Sequence, residues 1–460
     1  MALIFATTLA GGAAAQSAST SPLPSDAEIR KILVQRIDDY HQGVGIVVGV
    51  IGPQGRRVVA YGKLNQGDAR PLNGETIFEI GSVTKVFTSL VLADMVERGQ
   101  VKLSDPVAEY LPADAKVPER GGRAITLLDL STHTSGLPRL PSNLSSQESA
   151  NPYADYTADK LYQFLSTYQL TRDIGSEFEY SNLGGGLLGF ALARRAGMDY
   201  EAVVRSHITA PLGMKSTGIT LTREMKARLA VGHNADLRAV PNWDFQVLAG
   251  CGALRSDAND LLTFLAANLG YVKSPLASAM AAMRAVRRPT GSARLGEIGL
   301  GWLIVKPSSY DVVWHNGGTG GYRSFVGFVP SARVGVVVLS NTFTATGVDD
   351  IGMHLLDPHA PLIAAPKERK EISVDPKLFD GYVGQYQLAP NFILTVTREA
   401  DHLFVQATGQ PKFQIYPSGE RQFFLKVVDA QLTFETDSTG RAVSVTLHQN
   451  GRDVPGKRIQ

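Results

Sequence analysis

The apolar positions of the chain change period along its length. From Val44 to Tyr61, the β-rich runs VGIVVGVI and RRVVAYG flank Gly52-Pro53-Gln54-Gly55, a pattern that predicts a hairpin. Between about residues 84 and 290 the apolar spacing becomes helical, with Pro and Gly punctuation. It predicts helices at Leu127 to Leu130, Ala158 to Tyr168, Leu183 to Arg195 and Ala258 to Leu269. Strands return near 300 to 341 as GLGWLIV, DVVWH, SFVGFVP and VGVVVLSN. Consecutive β-runs with short turns argue an antiparallel sheet. Joining the first hairpin to these later strands, with helices over the sheet, is the simplest packing and would bring motifs from distant parts of the chain together.

Beyond Asn341 a short helical remnant precedes DPHAPLIAAPKERKEISVDP, whose prolines and charged run Lys367 to Glu371 mark a linker. From Tyr382 to Ile459, FILTVTR, HLFVQAT, FQIYP, RQFFLK, QLTFETD and AVSVTLHQ recur about every eight to twelve residues, the spacing of a small antiparallel barrel or sandwich. The expected organisation is a signal-like leader over 1–25, a mixed α/β domain over 26–356, a linker over 357–375 and an all-β domain over 376–460.

Composition narrows the function classes. With 44% hydrophobic and 19% charged residues the chain has the make-up of a globular protein with a sizeable core. A net charge of +2 with interspersed signs leaves no electrostatic footprint for nucleic acid. The single cysteine, Cys251, excludes an intrachain disulfide and a cysteine-based zinc site, and its apolar surroundings make it core filler. No apolar run reaches the about 18 residues of a membrane span. The start MALIFATTLAGGAAAQS, with Ala13-Ala14-Ala15 as a cleavage site, reads as export to the periplasm or outside the cell, although no Lys or Arg precedes its apolar run.

Three segments carry chemistry. EIGSVTKVFTSLVL sets Ser82 and Lys85 three apart at the start of a helical run, on one face, in the first turn where free N–H groups favour negative charge. It is the only S-x-x-K in the chain. GSEFEYSNLGGGLLG contains the only Y-x-N, Tyr180 and Asn182, projecting from a loop before a glycine-rich helix start. DVVWHNGGTGGYRSF ends a β-run in His315-Asn316-Gly317-Gly318, where glycines at a strand edge let a ligand approach the backbone. Each segment alone also fits a helix cap, a buried tyrosine or a Gly-rich turn.

In this order the three resemble the motifs of the penicillin-recognising serine hydrolases: S-x-x-K, then Y-x-N, then K-T-G or H-x-G. They resemble most closely class C β-lactamases, family VIII carboxylesterases, DD-peptidases and D-aminopeptidases. The resemblance runs through VKLSDPVAEYLP and ITLLDLSTHTSGLP and covers about residues 30 to 345. It implies an α/β fold: a β-lactamase-like antiparallel sheet flanked by helices, with a mostly helical subdomain. The C-terminal barrel resembles the lipocalin-like domain appended to some of these hydrolases, with packing, bordering the cleft or self-association into a homo-oligomer as its roles.

The resemblance further implies that Ser82 is the acylated nucleophile, that Lys85 and Tyr180 handle its proton and that Asn182 positions the substrate. His315 takes the place of the third-motif cation, and the N–H groups of Ser82 and Gly318 form the oxyanion hole, with Asn316 and Gly317 in the same substrate-binding strand. Which of Lys85 and Tyr180 is the base stays open. No cofactor or metal is implied. The departure is at His315, because a neutral imidazole attracts a carboxylate less than an ammonium does; Arg323 either replaces the missing cation or is a surface arginine on a turn. Ester, amide or peptide hydrolysis, D-residue peptides included, therefore outranks β-lactam hydrolysis. The rivals are a class C-like β-lactamase and a non-catalytic penicillin- or muropeptide-binding sensor. His133, in STHTSGLP, reads as a hydrogen-bonded core or turn histidine.

Overall fold

A computed structural model of the chain describes residues 23–144, 150–364, 369–389, 392–408, 410, 412–426, 430–449 and 452–460. The leader-like segment with Ala13-Ala14-Ala15, and Lys367 of the charged run, lie outside the described residues.

The first hairpin forms as expected, β1 at Gly45–Gly52 and β2 at Gly55–Gly62, and joins the later strands in one antiparallel sheet. Those strands are β3 Arg288–Pro289, β4 Glu297–Ile298, β5 Leu303–Val305, β6 Val312–Gly318, β7 Arg323–Val329 and β8 Val334–Ser340. The order across the sheet is β2-β1-β8-β7-β6-β5-β4-β3. Val48 lies opposite Val338, and His315 opposite Val326. GLGWLIV yields a strand only over its last three residues. Gly301 takes φ 69° and the Gly299 N–H donates to the Trp302 carbonyl, so the chain turns before β5 starts. β3 and β4 are too short to carry a period in sequence.

Helices cover both faces, which explains why β1 is apolar throughout instead of alternating. Val47 and Ile51 enter one core with α2 (Thr84–Glu97) and α6 (Ala258–Asn268). Ile46, Val48 and Val50 enter a second with α1 (Asp26–Val34) and α8 (Asp349–Leu356). α3 (Leu127–Ser131), α4 (Ala158–Thr167), α5 (Asn182–Ala196) and α7 (Ala277–Ala285) belong to the helical part, which also holds short helices such as Tyr200–Val204 and Arg223–Arg228, with α3 to α6 where the apolar period places them. α2 carries the candidate Lys85 and is buried along almost its whole length, so its position is fixed from all sides.

The C-terminal strands close into an eight-stranded antiparallel barrel, Gly384–Ala389 pairing with both Phe392–Glu399 and Arg452–Arg458. Its interior is filled by Tyr382, Tyr386, Phe423 and Phe434. Closure leaves the barrel no free strand edge.

A buried ion pair ties α1 to α8 on the face of the sheet they share. Arg36, just past α1, binds Asp350 of α8 and donates to the Gly347 carbonyl at 3.2 Å, with the paired side chains 3% and 7% exposed. Removing one partner leaves a buried charge uncompensated. Asp350→Ala is expected to lower the unfolding free energy by about 3–5 kcal/mol in urea denaturation; an unchanged midpoint would mean that Arg36 finds water instead.

Candidate active site

Ser82 sits in a short 3₁₀ turn, Gly81–Val83, that runs directly into α2. The turn is clamped from three directions. The short strands Phe78–Glu79 and Arg255–Ser256 pair before it, and the Ile80 N–H donates to the Leu254 carbonyl at 3.0 Å. Glu79 is buried against Arg255 at 3.1 Å; burial pushes its carboxyl up and Arg255 pulls it back. The Ile80 carbonyl accepts from Ser324 Oγ of β7 at 2.8 Å. Gly81 adopts φ 50°, and a Cβ there would lie 2.6 Å from the Gly318 nitrogen. A Cβ on Gly317 would lie 2.0 Å from the Ile80 carbonyl oxygen. Glycine at 317 on β6 and at 81 on the turn lets the two backbones lie against each other.

The chain's Ser-x-x-Lys pair meets as helical spacing requires. Lys85 Nζ lies 3.1 Å from Ser82 Oγ, 2.8 Å from Asn182 Oδ1 and 2.7 Å from the Cys251 carbonyl oxygen. Lys85 is 2% exposed, and none of its three hydrogen-bond partners is a carboxylate. The two carbonyl oxygens can only accept, so they take two N–H bonds in any protonation state. The third position faces a hydroxyl, which accepts from an ammonium or donates to an amine lone pair. The hydrogen-bond arrangement therefore accommodates either an ammonium or an amine at Lys85.

Asn182 differs from expectation in its location: it is the first residue of α5, not part of a loop. Its Oδ1 holds Lys85, and its Nδ2 donates to Tyr153 Oη at 2.9 Å. Tyr180 stands half-buried beside it, its ring 4.8 Å from Lys85 Nζ and 5.3 Å from the Arg139 guanidinium carbon. His133 packs on Tyr180 with ring centroids 4.5 Å apart, and its Nδ1 accepts from the Ser181 N–H at 3.2 Å. Burial, then Lys85, hold the His133 ring well below the usual imidazole range. A neutral His133 that fixes the Tyr180 loop is the hydrogen-bonded core role its sequence context suggests.

In the third motif two neighbouring side chains go to opposite faces of the sheet. His315 is 1% exposed, and burial with the Lys85 charge lowers its pKa to about 3, so the ring is neutral near pH 7 and supplies no cation. Its Nδ1–H donates to the Asn316 carbonyl at 2.6 Å, which leaves Nε2 a buried acceptor without a partner among the described residues. Asn316 points to the other face, as strand alternation requires, and its Nδ2 donates to Asp349 Oδ2 at 2.6 Å. The cation near the strand is Arg323. Cross-strand from Gly318, it stacks 4.0 Å over Phe343, donates from Nε to the Thr344 carbonyl at 2.8 Å, and lies with Nη1 2.8 Å from where a Cβ on Gly318 would be.

Four partners escaped sequence reasoning. The Cys251 carbonyl is backbone and has no side-chain signature. Tyr153, Trp243 and Phe245 form an aromatic wall, with centroids 4.6 Å apart for Tyr153 and Phe245 and 5.5 Å for Tyr153 and Trp243. Phe245 Cζ reaches within 3.0 Å of a Cβ built on Gly252, beside the Ser82 turn. Half-buried aromatics in NWDF, between polar neighbours, were the one available signal.

The Beta-lactamase family model matches residues 31–356, and a domain of unknown function, DUF3471, matches residues 368–458. The chain is 29% identical over 353 residues to the D-alanyl-D-alanine-carboxypeptidase/endopeptidase AmpH of Escherichia coli K12, covering 73% of this chain and 90% of that one. It is 26% identical over 458 residues to penicillin-binding protein 4* of Bacillus subtilis 168, covering 93% and 98%. A class C β-lactamase structure from Rhodobacter sphaeroides superposes with a TM-score of 0.62 at 26% identity, over 73% of this chain and 98% of that one.

The glycine contact makes a sharp mutational test. Gly317→Ala places a methyl against backbone, which the strand relieves only by moving off the turn, at a cost of about 1–3 kcal/mol. The folded variant is expected to be labelled by a fluorophosphonate at least about tenfold more slowly. A wild-type labelling rate would show that β6 does not seat Ser82.

Proposed function

The chain belongs to the Beta-lactamase family, and on that premise we propose that it hydrolyses small esters or amide and peptide bonds through an acyl-enzyme on Ser82. The observation that carries this reading is Lys85 Nζ at 3.1 Å from Ser82 Oγ, buried and held by two obligate acceptors.

In the proposed cycle Ser82 Oγ attacks the substrate carbonyl carbon as its proton passes to Lys85, and the carbonyl π-bond pair becomes an oxyanion. Lys85 is favoured as base by being the titratable group hydrogen-bonded to that hydroxyl; Tyr180, across Lys85, would relay the proton to the leaving amine or alcohol. The N–H groups of Ser82 and Gly318 would receive the oxyanion, a term worth about 10² to 10³ in rate per donor. Water then attacks the ester carbonyl, and Ser82 regains its proton. His315 Nε2 can accept a bond from a substrate N–H or from the Tyr180 hydroxyl, but a neutral ring whose other nitrogen is already donating cannot anchor a carboxylate.

That anchoring falls to Arg323, whose two terminal nitrogens have no hydrogen-bond partner among the described residues. A C-terminal D-residue peptide ends in such a carboxylate, and AmpH is named for D-alanyl-D-alanine cleavage; we favour this substrate class over lactam turnover. The intact Ser82, Lys85 and Tyr180 set argues against a pure binder, since a binder needs no proton relay. The leader supports an exported protein, and no helix among the described residues is long and apolar enough to cross a membrane.

Ser82→Ala is expected to abolish covalent labelling by a fluorophosphonate or a penicillin while leaving the circular-dichroism spectrum unchanged. Turnover of D-alanyl-D-alanine peptides, p-nitrophenyl esters and a chromogenic cephalosporin, run side by side, ranks the substrate classes. Labelling that survives in the folded variant would place the nucleophile elsewhere.

A further inference from the structure

Asp349 opens α8 on the face of the sheet turned away from Lys85. Its Oδ2 accepts from Asn316 Nδ2 at 2.6 Å and lies 3.9 Å from Arg294 Nη2. A Cβ on Gly347 would stand 3.8 Å from both Arg323 Nε and Asp349 Oδ1, so the carboxylate and the guanidinium flank one glycine and attract through space. One acidic group thus holds the side chain of the third motif's second residue and faces the arginine that flanks its fourth. Burial pushes the Asp349 carboxyl up to about 6, with Asn316 and Arg323 pulling the other way.

We infer that Asp349 sets the site's preference for carboxylate-bearing acyl donors by competing with the donor's anion for Arg323. It is a positioning residue, acting through Arg323 and touching no reacting atom. The inference rests on the serine hydrolase reading and on Arg323 as anchor. An ionised Asp349 neutralises part of the guanidinium's field and leaves less for a second anion. A protonated Asp349 still accepts from Asn316 through its carbonyl oxygen, while the charge of Arg323 is no longer offset by it. The other charges around it are Arg294, 79% exposed and screened by solvent, Asp350 on its own helix, and Arg36, which Asp350 already matches. The sign follows: the carboxyl is neutral below about pH 6 and ionised above it, so the preference for anionic donors is full at low pH and decays as pH rises.

The test uses the full chain and two probes of like lactam chemistry, benzylpenicillin and its methyl ester, one anionic across this range and one neutral. Second-order acylation rates are read by intact mass from about pH 5 to 7.5. Any pH effect on acylation common to both probes cancels in their ratio. The wild-type ratio of acid to ester is expected to fall about fivefold as pH rises, the upper end for a charge pair that is not fully buried. Asp349→Asn is expected to keep the ratio flat at its low-pH value, and Arg323→Gln to flatten it at a low value on which Asp349→Asn has no further effect. The wild-type profile stands even if a variant fails to fold. A flat wild-type ratio, or discrimination lost only in Arg139→Gln, would overturn the inference while leaving acylation intact. Failure of both probes to acylate wild type would overturn the serine hydrolase reading and this inference with it.

Discussion

β6 and the turn that carries Ser82 meet backbone against backbone, and that approach governs what the rest of the fold must do. The Ile80 carbonyl sits where a Gly317 methyl would be, and the Gly318 nitrogen where a Gly81 methyl would be. Two elements more than 230 residues apart in sequence stay in contact only if the sheet and the helices over it are rigid. The fully buried β1, the burial of α2 along most of its length, the Glu79–Arg255 pair and the Ser324 bond to Ile80 all act toward that end. The proposed oxyanion cradle follows from this contact without any residue dedicated to it.

The second constraint is electrostatic. Lys85 is enclosed near the positive end of α2, with amide and hydroxyl oxygens as its partners and no carboxylate among them. Its charge acts on the surroundings: His133 and His315 are both driven toward the neutral form, by burial first and by Lys85 next. With both histidines driven toward neutrality, the cations near these motifs include Arg323, stacked on Phe343, and Arg139, over the Tyr180 ring. In the proposed cycle, proton transfer and charge recognition would thereby fall to different residues.

Much of this was legible in the sequence where local chemistry decides. The hairpin, the helices α3 to α6 and the Ser82–Lys85 contact follow from period and spacing, because an i,i+3 pair at a helix start has one geometry available. What failed to show were properties of the assembled interior. HNGG places His315 and Asn316 side by side in sequence, yet alternation sends one ring into a buried pocket beside Lys85 and ties the other side chain to Asp349 on the opposite face. That His315 is neutral depends on how deeply β6 is covered, which no window of residues reports. The Cys251 carbonyl and the Tyr153, Trp243 and Phe245 wall come from loops with no period, and Asn182 proved to be a helix residue because Ser181, not Asn182, supplies the cap.

The account stands on Ser82 taking the acyl group inside the cradle made by α2 and β6. Its most direct measurement is a crystal structure of the chain after reaction with a slowly hydrolysed acyl donor. The account predicts continuous density from Ser82 Oγ to the acyl carbon, with the carbonyl oxygen within hydrogen-bond distance of both the Ser82 and Gly318 nitrogens. Density on another residue, or an acyl oxygen turned away from Gly318, would contradict it.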